Sequence, residues 1–181
     1  MNPELRILLD GLERVGESVA SLTADTDGEQ LAAQPAPGAN SRAWLIWHLT
    51  RVMDHQGLSV LTGLHAAGRV GEVPEQVWTA QGFAERFGLP YSPEASGYGQ
   101  SAADVAAFPS VDPALLADYH RAVQEALTAW LAPLGEDDLD AVIDEAWAPP
   151  VTARARLVSV LDDAARHIGQ AEYVTGLLQR G

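Results

Sequence analysis

The sequence predicts an all-α fold, a four-helix bundle with a long lid-like insertion between the second and third helices. Four long segments carry apolar residues at helical spacing. In the first segment the apolar positions alternate steps of three and four residues, as in bundles of nearly parallel helices. With 181 residues, of which 47% are hydrophobic and 20% charged, the chain has the size and composition of one globular unit, and we expect a single domain over residues 1–181.

The first helix is predicted over residues 2–22. Asn2 is a suitable N-cap, and Pro3 suits the first helical position because proline lacks the N–H that would be unpaired there. A polar segment rich in turn residues follows over 23–40 and predicts a loop. The apolar stripe of the helix consists of Leu5, Leu8, Leu12, Val15, Val19 and Leu22.

The second helix is predicted over residues 42–64, with Asn40 or Ser41 as its N-cap. Its apolar stripe contains His48. A polar side chain on a face that packs into the core costs free energy unless it is hydrogen-bonded or bound to a ligand. His48 is therefore either a hydrogen-bonded core histidine or a functional residue.

The insertion covers residues 65–111 and holds six glycines, four prolines and several aromatic residues. A structureless stretch of this length is unusual in a compact domain. We therefore expect two short helices in it, near 75–87 and 101–107. The aromatic side chains need a surface to pack on, which predicts that the segment lies across one end of the bundle as a lid.

Two more long helices follow. The third is predicted over residues 112–132 with Asp112 as its cap, and the last over 152–179. Residues 141–150 between them predict a short extended or irregular piece. The apolar stripe of the last helix is interrupted by an acid and a histidine, Asp163 and His167.

Asp163 and His167 are four residues apart, so on a helix their side chains lie on the same face. If the second and last helices are neighbours, His48 joins them. Two nitrogen ligands and one carboxylate suit Zn²⁺, Ni²⁺, Fe²⁺ or Co²⁺, and three protein ligands leave open positions, which is typical of catalytic sites. The alternative is an ordinary Asp–His pair on a helix face beside a hydrogen-bonded core histidine.

Other histidines are weaker candidates. His55 could share a face with His48, but Asp54 beside it is equally consistent with an ion site at the surface. His120 lies next to the third stripe and is expected to face solvent. Ferritin-like, zinc-protease and nucleotide-binding motifs are all missing from the sequence.

Composition excludes several classes of function. The chain has no cysteine, which rules out disulfides, thiolate metal sites and a cysteine nucleophile. A formal charge of −14 disfavours nucleic acid and anionic membranes as partners. No apolar run is long enough for a transmembrane helix, and the N-terminus lacks the layout of a signal peptide, so we expect a cytoplasmic protein.

Two segments resemble motifs of a known family. Residues 43–54, Ala-Trp-Leu-Ile-Trp-His-Leu-Thr-Arg-Val-Met-Asp, resemble the second-helix motif of the DinB/YfiT-like superfamily. Residues 163–176, which begin Asp-Ala-Ala-Arg-His-Ile-Gly-Gln, resemble its last-helix motif. Segments 35–40 and 97–100 are similar to an actinobacterial-type branch, and the resemblance extends over the whole chain.

The resemblance implies a four-helix bundle that binds one divalent metal, zinc first and nickel as the alternative, and that frequently forms a homodimer. The implied ligands are His48, Asp163 and His167. Many members have histidine where this chain has Asp163. A carboxylate at this position looks like the mycothiol-dependent maleylpyruvate isomerase branch, although that branch normally has the longer Glu.

The implied activity is metal-dependent S-transfer to, or isomerisation of, a small electrophilic substrate, with a low-molecular-weight thiol such as mycothiol or bacillithiol as co-substrate. Arg166 or Arg42 could bind a substrate carboxylate, since guanidinium pairs with carboxylate through two hydrogen bonds. Gln170 could orient a ligand or a metal-bound group. Two alternatives stay open: a non-catalytic bundle that binds a metal or small ligand as a stress or sensor module, and a structural dimer with an empty site.

Overall fold

A computed structural model describes residues 1–180. Gly181, the last residue of the predicted domain, lies outside the described residues. The described part is mostly helical, which confirms the prediction of an all-α fold. Its elements are α1 (Pro3–Thr23), α2 (Gly28–Ala32), α3 (Arg42–Ala66), α4 (Val77–Ala80), α5 (Phe83–Phe87), α6 (Ala102–Ala106), α7 (Pro113–Leu131), α8 (Glu136–Leu139), β1 (Val142–Asp144), β2 (Val151–Thr152) and α9 (Ala153–Leu178).

The four long helices begin at side chains that bind their first backbone N–H groups. Asn2 and Asp112 accept from the N–H two residues on, at 2.8 and 2.9 Å. Ser41 rather than Asn40 caps α3, accepting from the Trp44 N–H at 3.2 Å, and Thr152 caps α9 in the same way. Each cap satisfies a donor that has no partner within its helix.

The long helices pack in a ring, because α1 contacts α7 and α9, and α3 contacts the same two helices. The contact between α3 and α9 is the most extensive of these. All stripe residues predicted for α1 are buried except Leu22, which packs at the edge of the core. The packing places the first half of α3, which contains His48, beside Asp163 and His167 of α9, where the sequence predicts a site.

Helix α3 is buried on all sides over part of its length. Residues 43–51 are buried without interruption, a pattern expected only of a helix enclosed all round. The bundle covers one side, and the segment over 67–112 covers the other. Trp47 makes this second contact, with the rings of Tyr91 and Phe108 at 5.7 and 5.5 Å from its own.

The short elements agree with the sequence except at two places. The single helix predicted near 75–87 is two short helices, α4 and α5, separated by Gly82 with its left-handed backbone angle. Helices α4, α5 and α6 lie where short helices are predicted, and β1 lies in the segment predicted to be extended or irregular. The strands β1 and β2 pair antiparallel, with Val142 opposite Thr152. Residues 23–40 are not wholly a loop, because Asp27 caps the short helix α2 within them. Among residues 1–180, no helix combines the length and apolar character that crossing a bilayer requires.

Candidate metal centre

Three ligand-type side chains converge between α3 and α9. His48 lies on α3, and Asp163 and His167 lie one turn apart on α9. One ligand atom from each lies within 4.8 Å of the other two. His48 is buried, with 6% of its surface exposed. The Asp163 and His167 side chains are 32% and 20% exposed, so the cluster opens toward solvent on its α9 side.

Hydrogen bonds orient both imidazoles and assign the proton on His48. Nδ1 of His48 is 2.5 Å from the backbone carbonyl oxygen of Ser96. Because a carbonyl only accepts, Nδ1 carries the hydrogen and Nε2 keeps its lone pair. Nδ1 of His167 faces the Gln170 side-chain oxygen at 3.2 Å, and its Nε2 is 3.5 Å from Asp163 Oδ1. His48 is therefore held as metal-binding histidines are, with its outer nitrogen donating to an oxygen. Both nitrogens of His167 face oxygens, so its Nε2 becomes a metal ligand only when it carries no proton.

The two imidazoles have opposite pKa shifts. Burial lowers the pKa of His48, and a protonated His167 nearby lowers it further. The hydrogen bond to Asp163 raises the pKa of His167. A histidine with a lowered pKa is uncharged at neutral pH, which is the form that binds metals. His48 is thus ready as a ligand, and His167 is stabilised by its carboxylate partner.

The cluster fits a divalent cation in its chemistry. Asp163 Oδ2 is buried and has no hydrogen-bond partner, although a buried carboxylate oxygen normally requires one. Ligand atoms around tetrahedral zinc are separated by about 3.4 Å, given bonds of about 2.0–2.1 Å. His167 Nε2 and Asp163 Oδ1 are already 3.5 Å apart, and all three ligand atoms lie within 4.8 Å of one another, so side-chain movements of no more than about 1 Å bring them to this spacing.

The loop over residues 96–100 forms one wall of the cluster. Trp44 stacks on the His48 ring at 4.7 Å, and its indole N–H donates to Gln100 at 2.8 Å. Gly97 has φ +93°, and a Cβ there would lie 2.5 Å from His48 Nδ1. Only glycine allows both the backbone angle and this close approach. The loop and the His48 ring therefore hold each other in place.

The comparisons with known proteins agree with this fold. The sequence profile of the DinB superfamily matches residues 11–171. The chain belongs to the DinB superfamily. A crystal structure of a conserved protein from Enterococcus faecalis is similar to this DinB-superfamily structure, with a TM-score of 0.85 and 30% sequence identity, and the match covers 100% of this chain and 99% of that one. The comparison with curated proteins gives no match.

The remaining candidates of this DinB-superfamily protein are distributed over different surfaces. Gln170 contacts His167 directly, as described above. Arg166 is exposed and pairs with Asp162 at 2.9 Å. Arg42 lies in a separate cavity of about 690 Å³ between the ends of α1 and α9, where it donates to the carbonyl of Gln30 at 2.6 Å. A role of either arginine in substrate binding stays a prediction.

Two expectations for histidines are wrong. His120 is buried rather than solvent-facing, because α1 approaches it closely at Gly16, where a Cβ would lie 3.4 Å from His120 Nε2. Its Nδ1 is bonded to the Thr50 hydroxyl at 3.1 Å. His55 is exposed and does not reach the cluster. Its neighbour Asp54 forms no surface site, since it is fully buried.

Most residues that contact the cluster from the loop and from α3 could not be identified from the sequence. Ser96 contributes only a backbone carbonyl, which no sequence pattern reveals. Gly97 was visible as part of a Gly-Tyr-Gly run, and two closely spaced glycines are a usable sign of a strained or tight loop. Two buried charged residues of α3, Arg51 and Asp54, were also missed, because charged residues on a helix normally face solvent.

Proposed function

We propose that this DinB-superfamily protein is a divalent-metal-dependent enzyme that uses a low-molecular-weight thiol, such as mycothiol or bacillithiol, to modify or isomerise a small electrophilic substrate. The observation that carries the proposal is the convergence of His48, Asp163 and His167, with a buried Asp163 oxygen that has no partner. Zinc is the preferred ion and nickel the alternative, because both accept two imidazoles and a carboxylate.

The charge of the site supports a thiol as co-substrate. Two neutral imidazoles and one carboxylate carry a charge of −1, so a dication leaves the centre with +1, which attracts an anion. A bound divalent cation would supply Lewis acidity and stabilise the thiolate form of a thiol beside it. The chain has no cysteine, so the sulfur must come from a second molecule.

The residues of the chain orient the ligands and leave one side open. The Ser96 carbonyl and the Gln170 oxygen fix the outer nitrogens of His48 and His167. Trp44 covers the His48 ring and keeps water from that face. Asp163 and His167 are partly exposed, so thiol and substrate approach from the α9 side.

The reaction follows from the chemistry of a thiolate. In S-transfer the S–H bond breaks, a C–S bond forms at the electrophilic carbon, and the proton passes to the carbon skeleton or to the leaving group. In isomerisation the thiol adds across a carbon–carbon double bond of the substrate, which becomes a single bond. The substrate rotates about this carbon–carbon bond, and elimination of the thiol then restores the double bond and leaves the thiol unchanged. The second course corresponds to the mycothiol-dependent isomerase branch, and Arg42 and Arg166 are the candidates to pair with a substrate carboxylate.

A metal assay tests the first half of the proposal. Protein purified without an affinity tag is expected to contain or take up one divalent ion per chain, measured by elemental analysis. His48→Ala is expected to abolish this uptake, whereas His55→Ala, an exposed histidine on the same helix, is expected to keep it. Equal metal content in both variants contradicts the three-ligand centre.

A thiol assay tests the second half. The metal-loaded protein is mixed with mycothiol or bacillithiol and a panel of unsaturated acids and epoxides, and loss of free thiol or a change in substrate absorbance is followed. Turnover that disappears in His48→Ala supports an enzyme. Metal uptake without turnover favours the non-catalytic metal-binding bundle, and no metal uptake favours the structural dimer with an empty site.

Partners are part of the same proposal. We expect small molecules rather than nucleic acid or membrane, because a net charge of −14 repels both phosphate backbones and anionic lipid. We also expect a homodimer, as the family resemblance implies. Sedimentation equilibrium distinguishes the expected dimer of about twice 19.3 kDa from a monomer.

A further inference from the structure

A buried ion pair lies one turn beyond His48 on α3. Arg51 is 1% exposed and Asp54 is fully buried, with 3.7 Å between their charged groups. Asp54 accepts the backbone N–H groups of Val77 and Trp78, at 3.0 and 2.8 Å. These are the first residues of α4. The carboxylate therefore anchors to α3 the start of the segment over 76–97, which is part of the longer segment that covers α3.

Arg51 anchors the other end of the same segment. Its Nε donates to the backbone carbonyl of Ala95 at 3.2 Å, and its Nη1 donates to the Gln76 side chain at 3.0 Å. The guanidinium also lies over the Trp78 ring, 4.9 Å from its centre. The ion pair therefore holds residues 76–95 to α3 at both ends.

The Arg51 contact is adjacent to the His48 contact. Ala95 and Ser96 are consecutive, and their carbonyls accept from Arg51 and His48 respectively. The two donors are three residues apart on α3, so they lie on one face of the helix. The two carbonyls belong to adjacent peptide units that meet at Ser96 Cα, so the Arg51 contact to Ala95 is the nearest restraint on the position of the Ser96 carbonyl.

We propose that Arg51 is a positioning residue for the metal centre: by holding Ala95 it keeps the Ser96 carbonyl on His48, and it thereby couples docking of the 76–97 segment to metal affinity. This inference rests on the proposed metal function. A buried ion pair adds little to stability compared with apolar residues of the same volume. Geometric control of the loop is a role that apolar residues could not perform.

The test uses Arg51→Lys, with Arg156→Lys as the matched control. Lysine keeps the charge, but its single ammonium lacks the planar fork that reaches Ala95 and Gln76 together. Arg156 is also largely buried and donates two hydrogen bonds, to Gln56 and Asp144 at 2.7 and 2.9 Å, but none to the 76–97 segment.

The first measurement needs no metal. Nitrogen-15 NMR of the histidine rings at pH 7.5 is expected to show His48 with its proton on Nδ1 in the wild-type protein and in Arg156→Lys. In Arg51→Lys the two tautomers are expected to mix. A single Nδ1–H tautomer in Arg51→Lys overturns the proposal, even if that variant has a lower melting temperature.

The second measurement uses zinc and cobalt ions. Zinc affinity is expected to fall about tenfold or more in Arg51→Lys. This is the effect found when residues that orient a metal ligand through hydrogen bonds are changed. The visible spectrum of the Co²⁺ protein is expected to change with it. Arg156→Lys is expected to match the wild type in both. Unchanged affinity and spectrum in Arg51→Lys overturn the proposal.

A third measurement works even if Arg51→Lys does not fold. Coupling is reciprocal, so if docking of the segment strengthens metal binding, the metal must stabilise docking. Zinc is therefore expected to slow amide hydrogen exchange over residues 90–100 of the wild-type protein. Slower exchange confined to α3 and α9 overturns the coupling. A wild-type protein that binds no metal defeats the proposed function instead, and the tautomer measurement still tests the positioning.

Discussion

Replacement of Gly97 by alanine tests how tightly the loop is seated on the metal centre. The new Cβ would lie 2.5 Å from His48 Nδ1, and 3.0 and 3.1 Å from ring carbons of Trp44 and Trp47. Real Cβ atoms do not approach other atoms this closely, so the loop must move. Its movement breaks the hydrogen bond from His48 to the Ser96 carbonyl.

The magnitude follows from two contributions. Alanine at a left-handed backbone angle costs about 1–2 kcal/mol, and forcing a methyl group into a filled site costs about 1–3 kcal/mol. The free energy of unfolding is thus expected to fall by about 2–5 kcal/mol. Gly99 provides the control, because it has φ +72° and an added Cβ would meet nothing within 4 Å. Gly99→Ala should cost only the backbone contribution of about 1–2 kcal/mol.

Urea unfolding followed by circular dichroism measures both variants, and competition with a coloured chelator measures their zinc affinity. Gly97→Ala is expected to be less stable than Gly99→Ala and to bind zinc more weakly, since only its Cβ meets the His48 ring. If the two variants have equal stability and equal zinc affinity, the loop does not press on His48 and the reasoning fails.

Two further predictions concern single side chains. Gln170→Leu removes the acceptor of His167 Nδ1 and is expected to weaken zinc binding by about 10–100-fold, whereas Gln179→Leu, at the C-cap of the same helix, should leave it unchanged; equal affinities would show that Gln170 does not orient its histidine. Burial lowers the pKa of His120 to about 4, below the value of about 6.5 in an unfolded chain. The stability that this histidine contributes is therefore complete above about pH 6.5. It decreases as the pH falls below that value, and the loss is complete once the pH has fallen through about 4. Between pH 7 and pH 5 the wild-type protein is expected to lose about 2 kcal/mol more stability than His120→Asn, measured by urea unfolding at each pH, and identical losses would contradict a neutral buried imidazole.

The long helices and the ligand cluster could be predicted because both depend on local spacing. The caps at Asn2 and Asp112 and the stripe of α1 are short-range features that the sequence displays directly. Asp163 and His167 share a face whenever their segment is helical. His48 needed only the further assumption that α3 and α9 are neighbours. The structure brings the three together, and their role as metal ligands stays a prediction.

The supporting residues could not be predicted because they depend on contacts between distant segments. Periodicity assumes that a helix buries one face, and α3 buries every face over residues 43–51, in its first half. The segment over 67–112, which covers the other side of α3, has no hydrophobic period that would reveal this contact. Arg51 and Asp54 therefore resemble ordinary surface charges in the sequence. The prediction for His120 was wrong for a related reason. Gly16, which allows α1 to pack closely beside His120, lies more than a hundred residues away in the sequence.

The unequal exposure of the three ligands has a consequence for exchange kinetics. His48 is enclosed by Trp44 and the 96–100 loop, whereas Asp163 and His167 border on solvent. An ion that binds this cluster would therefore enter and depart past the α9 pair, and would meet His48 last. Its release into a chelator should then be limited by rotation of two side chains rather than by opening of the helical scaffold.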